Sequence, residues 1–213
     1  ATRAHGETSA VAELFTKTHG RYLGLVRGGR SRRMRPVLQP GNVVVAQWRA
    51  RLSEHLGSYT IELLEPHAAR VIHDRSALAG LDTLMALSRL LPERDPHGDL
   101  YDATKMIVAA LSEGEHWPAL LVRWEMALLD ELGFGLDLST CASTGATSDL
   151  AYVSPKSGRA VSREAGEHYI ATLLALPPFL NAANSGFSPP GQTEILDAYR
   201  LTAFFFERHI WGP

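Results

Sequence analysis

The sequence predicts an α+β protein in which a small antiparallel β-barrel is followed by an all-α helical domain. Short segments that contain β-branched residues, separated by turn residues, fill roughly the first 65 of the 213 residues. From His67 onward, apolar residues recur every three or four positions, which is the period of an amphipathic helix. We therefore predict one domain over residues 1–66 and a second over residues 67–213, with the boundary near Pro66.

Four strands are predicted in the first domain, over residues 9–16, 21–27, 43–49 and 59–64. Turn residues separate the first three strands, as in Thr18-His-Gly20, Gly28-Gly29 and Pro40-Gly-Asn42. Short strands at this spacing are typical of a small barrel. We expect one further strand, the first of the barrel, to be missing ahead of Ala1.

The second domain is predicted to contain five helices, over residues 67–91, 100–111, 118–132, 163–176 and 191–210. Pro92, Gly133 and Pro177-Pro178 provide stop signals. The stretch 137–162 is rich in Ser, Thr and Gly, and we interpret it as a loop insertion between helices.

Positive charge is concentrated in one stretch of the first domain. Between Leu14 and Ser53 the chain has nine Lys or Arg residues and no Asp or Glu, and five of the nine lie between Arg27 and Arg35. Like charges repel, so such a run is costly to fold unless water or a polyanion neutralises it. Arginine also matches phosphate oxygens better than lysine does. The run alone favours a nucleic-acid contact and a solvated, disordered loop about equally.

The position of the run, between two predicted strands, favours the nucleic-acid contact. Small barrels of this kind bind nucleic acid across one face and its loops, and a loop with this many charges has no packing role. Aromatic residues on nearby strands could stack on unpaired bases, although packing inside the barrel is the simpler role for each of them. The candidate nucleic-acid-binding residues are Arg21, Arg27, Arg30, Arg32, Arg33, Arg35, Arg49, Tyr22 and Trp48.

No set of residues points to an enzyme. The nine histidines are scattered, and the sequence has no Walker loop, Gly-rich dinucleotide turn or Ser nucleophile elbow. We therefore expect a binding protein with no catalytic residues, no cofactor and no metal site. A single cysteine, Cys141, excludes an intramolecular disulfide, and no apolar run is long enough for a membrane span, so we expect a cytoplasmic protein.

The net charge is divided unevenly between the two halves of the chain. Residues 1–65 hold ten Lys or Arg and five Asp or Glu, whereas residues 66–213 hold eleven and eighteen. A basic first domain and an acidic second domain suggest two modules with different partners.

Three segments, in order along the chain, resemble one family. They are His5-Gly-Glu-Thr-Ser9 with His19-Gly-Arg21 and Leu38-Gln-Pro40, then Arg123-Trp-Glu-Met-Ala-Leu-Leu-Asp-Glu-Leu-Gly-Phe-Gly-Leu-Asp-Leu-Ser139 with Cys141, then Ala151-Tyr-Val-Ser-Pro-Lys-Ser-Gly-Arg159. Together they are similar to the RecO family of bacterial recombination mediators, and the similarity covers nearly the whole chain.

The resemblance implies an OB-fold barrel followed by a helical domain, and a role in DNA repair and recombination through the RecF pathway. Proteins of this family bind single- and double-stranded DNA and promote strand annealing. With RecR they help to load RecA onto DNA coated by the single-strand-binding protein SSB, whose C-terminal tail they recognise. A cytoplasmic, nucleoid-associated location is implied as well. An RNA- or ribosome-associated OB-fold protein remains an alternative, as does a scaffold whose arginines meet an acidic protein.

The sequence departs from the family in two places. Some members hold zinc with paired cysteines after the central helix, whereas here the second Cys of the pair is replaced by Thr144. We therefore predict a degenerate zinc-finger-like loop that lacks the zinc ligands, with no zinc bound. We also expect two features of the family pattern to be missing from this sequence. They are the first barrel strand and a basic extreme C-terminus.

The acidic tail of SSB ends in Phe, so its pocket needs an apolar slot and one or two arginines. Arg123, Met126 and Leu129 are spaced three residues apart on the central helix, and Arg200 on the last helix provides a second cation. These four residues are the candidate SSB-tail site. The alternative is that Met126 and Leu129 belong to the core while Arg123 pairs with Glu125 or solvent.

Overall fold

The computed structural model describes residues 1–52, 55–114, 116–181 and 189–212. The chain is a mixed α+β protein with a β-sheet in its N-terminal region. It divides into two compact units, Ala1–Trp117 and Pro118–Pro213. The first unit therefore includes helices as well as the sheet, and the predicted boundary near Pro66 falls inside it. No helix among the described residues is both long and apolar enough to cross a lipid bilayer.

The first unit contains a five-stranded sheet made of β1 (Thr2–His5), β2 (Ser9–Thr16), β3 (Gly20–Val26), β4 (Val43–Arg49) and β5 (Gly57–Glu65). The strand order is β1-β2-β3-β5-β4. Neighbouring strands are antiparallel except β3 and β5, which are parallel. The four predicted strands are confirmed to within two residues at each end. A fifth strand, β1, was not predicted.

One face of the sheet covers an apolar core. Ala12, Val26, Tyr59 and Ile61 form its buried centre. Val44, Ala46 and Trp48 reach it from β4, because alternate residues of a strand point to the same face. The connection from β3 to β4 contributes Met34, Val37 and Leu38, and contains a four-residue helix, α1 (Met34–Val37). This connection passes β5 and so is a crossover held against the core, not a hairpin.

The helices of the first unit are α2 (Ala68–Val71), α3 (Arg75–Leu87) and α4 (Gly98–Glu113). The prediction of one helix over residues 67–91 is wrong, because Asp74 leaves helical geometry and caps α3 instead. Its side chain accepts hydrogen bonds from the backbone N–H groups of Ser76 and Ala77. A short 3₁₀ turn, Ser88–Leu90, follows α3.

The second unit has two long helices, α5 (Trp117–Glu131) and α7 (Gln192–Phe206). Their buried residues include Trp124, Leu128, Leu201, Phe205 and Phe206. A three-stranded sheet of order β7-β6-β8 lies between them in sequence, formed by β6 (Leu150–Val153), β7 (Ala160–Ser162) and β8 (Leu174–Ala175). The predicted loop insertion therefore contains two strands.

The predicted helix over residues 163–176 is wrong. Only α6 (Arg163–Gly166) is α-helical, and a 3₁₀ segment, Glu167–Thr172, and then β8 follow it. At Gly166 the aromatic ring of Tyr152 lies where a Cβ would be, so this turn packs closely on β6. Close backbone packing ends the helix even though the apolar spacing continues.

Candidate nucleic-acid interface

The segment from Arg27 to Arg35, hereafter the arginine loop, exposes all five of its arginines. In the part of the chain that the structure describes, none of the five forms an ion pair with an acidic side chain. The loop therefore presents a dense patch of positive charge with which no carboxylate of the described residues forms an ion pair. Such a patch attracts polyanions at long range.

The loop is nevertheless held in place at both ends. At its C-terminal end, Met34 packs against the core of the sheet. At its N-terminal end, Arg30 is tied to the turn between β1 and β2. Its backbone N–H donates to the carbonyl of Thr8 (3.0 Å), and its Nη1 donates to the carbonyls of Gly6 (2.8 Å) and Glu7 (3.0 Å). Part of the Arg30 guanidinium is thus used to fix the loop, while the other arginines project from a positioned backbone.

Strand β4 places Arg49 and Trp48 on opposite faces. Arg49 is exposed together with Val45 and Gln47, and no ion pair of Arg49 occurs among the described residues. Trp48 points to the core, and its Nε1 donates to the carbonyl of Leu23 (3.2 Å). Its indole lies on Gly57, where a Cβ would collide with the ring. Trp48 therefore packs on the core of the sheet, which favours the packing role over base stacking.

Arg21 lies inside the first unit and is unavailable to a ligand. Only 9% of the surface of Arg21 is exposed. Its guanidinium forms an ion pair with Glu13 and donates to the carbonyls of Arg89 (2.5 Å) and Leu91. A buried guanidinium requires such partners because desolvation of its charge is costly. The predicted phosphate contact of Arg21 is therefore replaced by a structural role.

Tyr22 is half-buried beside Arg21, and its ring is already surrounded. Trp48 packs edge-on against it with centroids 5.1 Å apart, and His19 lies edge-on at 6.3 Å. The guanidinium carbon of Arg94 lies 4.9 Å from the ring centroid. The ring of Tyr22 is thus covered by protein groups, which argues against direct stacking of a base on it.

The four residues of the predicted SSB-tail site have different surroundings in the second unit. Leu129 is 0% exposed and belongs to the core. Arg200 is exposed but pairs with Asp197 at 2.8 Å, one helical turn earlier. Arg123 and Met126 remain near one surface of α5. The Nη2 of Arg123 donates to the carbonyl of Phe179 (2.9 Å), and its guanidinium lies over the Phe179 ring at 5.8 Å.

Glu125 does not pair with Arg123, because its side chain points into the core. The residue is 5% exposed, and its Oε2 accepts a hydrogen bond from the Oγ1 of Thr202 on α7 (2.5 Å). Burial raises the pKa of Glu125 to about 7, despite the opposing effect of the Thr202 hydrogen bond. This buried carboxyl was not predicted, although Glu125 lies four residues from both Leu121 and Leu129 and therefore within the buried stripe of α5.

The surroundings of Cys141 do not fit a structural zinc ion. The buried sulfur accepts a hydrogen bond from the backbone N–H of Ser162 (3.3 Å). Burial raises the pKa of the thiol, but hydrogen bonds from Thr144 and Ser162 outweigh this effect and lower it to about 6. The partners of this one sulfur come from Thr144 and Ser162, whereas structural zinc requires four Cys or His ligands. No group of three His, Cys, Asp or Glu residues arranged to hold a metal occurs among the described positions.

Comparison with known proteins gives matches along the whole chain. The family model for the N-terminal part of recombination protein O matches residues 1–67, and the model for its C-terminal part matches residues 72–213. The DNA repair protein RecO of Mesorhizobium japonicum is 56% identical over 212 residues, which span 100% of this chain and 83% of the relative. That of Methylorubrum populi is 55% identical over 214 residues, 99% of this chain and 87% of the relative. That of Sinorhizobium medicae is 53% identical over 211 residues, 99% of this chain and 84% of the relative.

Proposed function

The chain belongs to the RecO family of DNA repair proteins, and we propose that it is a recombination mediator that binds DNA through the arginine loop. The observation that carries the proposal is the exposure of Arg27, Arg32, Arg33 and Arg35 with no acidic partner among the described residues. Uncompensated positive charge on an anchored loop is poorly explained by packing, and a polyphosphate would neutralise it.

The arginines act on the backbone of DNA and not on its bases. Each guanidinium that contacts a phosphate releases condensed counterions, so the affinity falls as salt rises. Phosphate contacts carry no sequence information, and single and double strands are therefore both bound with weak sequence preference. Neutralising two strands at once lowers their repulsion, which promotes annealing of complementary sequences. The protein acts by binding, and no catalytic step is required of it.

We propose that the five-stranded sheet is an OB-fold barrel. Its order and its single parallel pair support this assignment. Proteins of this fold bind oligonucleotides with a strand face and with the loops that follow the first and fourth strands. The tie between Arg30 and the turn at Gly6 and Glu7 holds the arginine loop beside the first of those loops. The DNA surface would then combine the arginine loop, this turn and Arg49.

We propose that the second unit binds the acidic, Phe-ended tail of SSB on the exposed side of α5. Arg123, Met126 and Phe179 offer a cation beside apolar surface. The tail carboxylate would take the guanidinium of Arg123 from the carbonyl of Phe179. RecR and RecA are the further partners that membership of the family suggests, and the bacterial nucleoid is the corresponding location.

The proposal is tested by changing Arg32, Arg33 and Arg35 together to Ala. Binding of labelled single- and double-stranded oligonucleotides is followed by fluorescence anisotropy at low salt. Loss of three phosphate contacts should weaken both kinds of binding at least tenfold, and equally for unrelated sequences. A matched variant changes Arg70, Arg75 and Lys156 to Ala, because these exposed cations form no ion pair among the described residues. The proposal fails if the first variant binds within about twofold of the unchanged protein or if both variants lose affinity equally.

A further inference from the structure

Arg94 occupies an unusual position beside β3. It is exposed, and its backbone has a left-handed φ of 63°. Residues other than glycine seldom adopt this conformation, and it costs about 1 kcal/mol or more. The guanidinium lies over the ring of Tyr22, and among the described residues it makes no ion pair and no hydrogen bond.

The chain around Arg94 is fixed firmly to β3. Arg94 donates its backbone N–H to the carbonyl of Arg21 (2.8 Å), and Glu93 bridges Arg21 in parallel register. The buried guanidinium of Arg21 in turn holds the carbonyls of Arg89 and Leu91. Hydrogen bonds from the backbone and from the side chain of Arg21 therefore fix the position of the segment that contains Arg94.

Gly20 makes this close approach possible. Its φ of 62° is left-handed, and a Cβ at this position would collide with the backbone of Asp95. The first residue of β3 thus allows the segment that contains Arg94 to lie directly against the strand. The left-handed turn then directs an exposed side chain across the Tyr22 ring, a contact with no evident role in the core.

We propose that Arg94, held over the ring of Tyr22, is a stacking platform for an unpaired base of single-stranded nucleic acid. Arginine planes stack on nucleobases and on aromatic rings alike, and Arg94 is exposed although its guanidinium lies over the Tyr22 ring. The N–H groups at the edge of the plane remain able to donate to a phosphate or to a base edge. Tyr22 then acts as a positioning residue that supports Arg94, in place of the direct base contact predicted from the sequence.

This inference rests on the proposed DNA-binding function and adds a preference that the arginine loop does not provide. Phosphates occur in every strand, so the loop does not distinguish paired from unpaired bases. A stacking plane accepts only a base that has left the duplex, and it is tolerant of sequence because every base has a flat face. Arg94 would therefore favour single strands over duplexes of the same length.

The test compares a labelled thymidine oligomer with an abasic strand of the same length, which keeps the phosphates and lacks the bases. The unchanged protein should bind the thymidine strand about fivefold to tenfold more tightly. The Arg94→Lys variant keeps the charge but loses the plane, so its preference should fall to about twofold or less while its salt dependence stays the same. Arg75→Lys is the matched control, because Arg75 is also exposed and has no ion pair in the described part of the chain.

The outcomes separate this inference from the function on which it rests. If Arg94→Lys is folded, as judged by an unchanged melting temperature, and keeps the full preference for the thymidine strand, the stacking role is wrong and the phosphate contacts stand. If the unchanged protein binds neither strand at low salt, the DNA-binding function itself is wrong. The arginine-loop variant should lose affinity for both strands by the same factor, so it leaves the preference unchanged.

Discussion

Arg21 and Arg33 show that the first unit uses the same side chain in two opposite ways. Arg21 is buried, and Glu13 and two backbone carbonyls satisfy its guanidinium. Arg33 is exposed on the arginine loop, and no acid pairs with it among the described residues. Groups of the protein neutralise the charge of Arg21, whereas the charge of Arg33 is available to a ligand. Stability should therefore depend on Arg21, and DNA binding on Arg33 and its neighbours.

Glu125 in the second unit resembles Arg21 in this respect. It is a charged residue type in a core position, with Thr202 as its hydrogen-bond donor. One neutral donor is a weaker compensation than the ion pair and carbonyls around Arg21, and the raised pKa of Glu125 reflects this. Arg21 thus has more hydrogen-bond and ion-pair partners than Glu125, and substitution of each residue should change stability in a measurable way.

The largest loss of stability should follow Arg21→Met. Removing one partner of a buried ion pair leaves Glu13 without its closest cation, which costs about 3–5 kcal/mol. Urea unfolding followed by circular dichroism measures the change. The double variant Arg21→Met with Glu13→Leu should recover part of the loss, because no uncompensated charge then remains. A loss below about 1 kcal/mol for the single variant would mean that Arg21 is not the structural residue described here.

Glu125 should lower the stability of the second unit as the pH rises, whereas the lowered pKa of Cys141 acts in the opposite direction. The pKa of Glu125 is about 7 in the folded state and 4.5 in an unfolded chain, so the folded state binds the proton more tightly. The contribution of Glu125 to stability is therefore full below about pH 4.5 and is lost as the pH rises towards about 7. The loss on ionisation is about 3 kcal/mol, from 1.36 kcal/mol for each pKa unit.

Glu125→Gln isolates this contribution. The amide oxygen still accepts the hydrogen bond from Thr202 and never ionises, so the variant should be more stable than the unchanged protein at pH 8 and similar to it at pH 4.5. Thermal melting at the two pH values provides the measurement. A variant that is less stable than the unchanged protein at pH 8 would show that ionisation of Glu125 does not destabilise the fold.

A smaller effect is expected for Arg30→Ala. The change removes the hydrogen bonds to Gly6 and Glu7, which are exposed and contribute about 1 kcal/mol or less. Part of the Arg30 guanidinium already binds backbone carbonyls. The slope of log affinity against log salt should therefore change less for Arg30→Ala than the value of about 0.7 expected for Arg33→Ala. Equal changes in the two salt slopes would place Arg30 directly on a phosphate.

Arg123→Glu should have the smallest effect on stability, because the residue is exposed and surface changes usually stay within about 0.5 kcal/mol. Its consequence should lie in binding, since a carboxylate there repels the acidic tail of SSB. Anisotropy with a labelled tail peptide should show at least tenfold weaker binding, whereas DNA affinity should not change. Lys156→Glu is a suitable control in the same unit, because Lys156 is exposed and forms no ion pair among the described residues. Unchanged affinity for the peptide would exclude this side of α5 as the tail site.

The alternation of side chains between the two faces of a strand predicts more of the interface than we predicted from it. The ends of β2 and β4 were predicted correctly because their apolar patterns are strong. Neighbouring residues of a strand point to opposite faces, so Trp48 and Arg49 could not both belong to one surface. The same argument separates Arg21 from Tyr22. On α5, six residues turn the helix far from its starting face, which is why Leu129 is buried while Arg123 is exposed.

Other features depend on contacts between distant parts of the chain and carry no local signal. The carbonyls of Arg89 and Leu91 that bind Arg21 come from the segment after α3, and no pattern around Arg21 indicates them. The left-handed turn at Arg94 likewise follows from the packing of Asp95 on Gly20. Density of charge could be read from composition, but which guanidinium is free follows only from the three-dimensional contacts.

We propose that free guanidinium groups of the arginine loop contact phosphates, and a salt titration of single-strand binding measures the number of these contacts. With about five contacts, a plot of log affinity against log salt should have a slope of about −3 to −4. The variant with Arg32, Arg33 and Arg35 changed to Ala should have a slope closer to zero by about 2, with unchanged unfolding free energy. Equal slopes for the two proteins, or a slope near zero for the unchanged protein, would contradict the account.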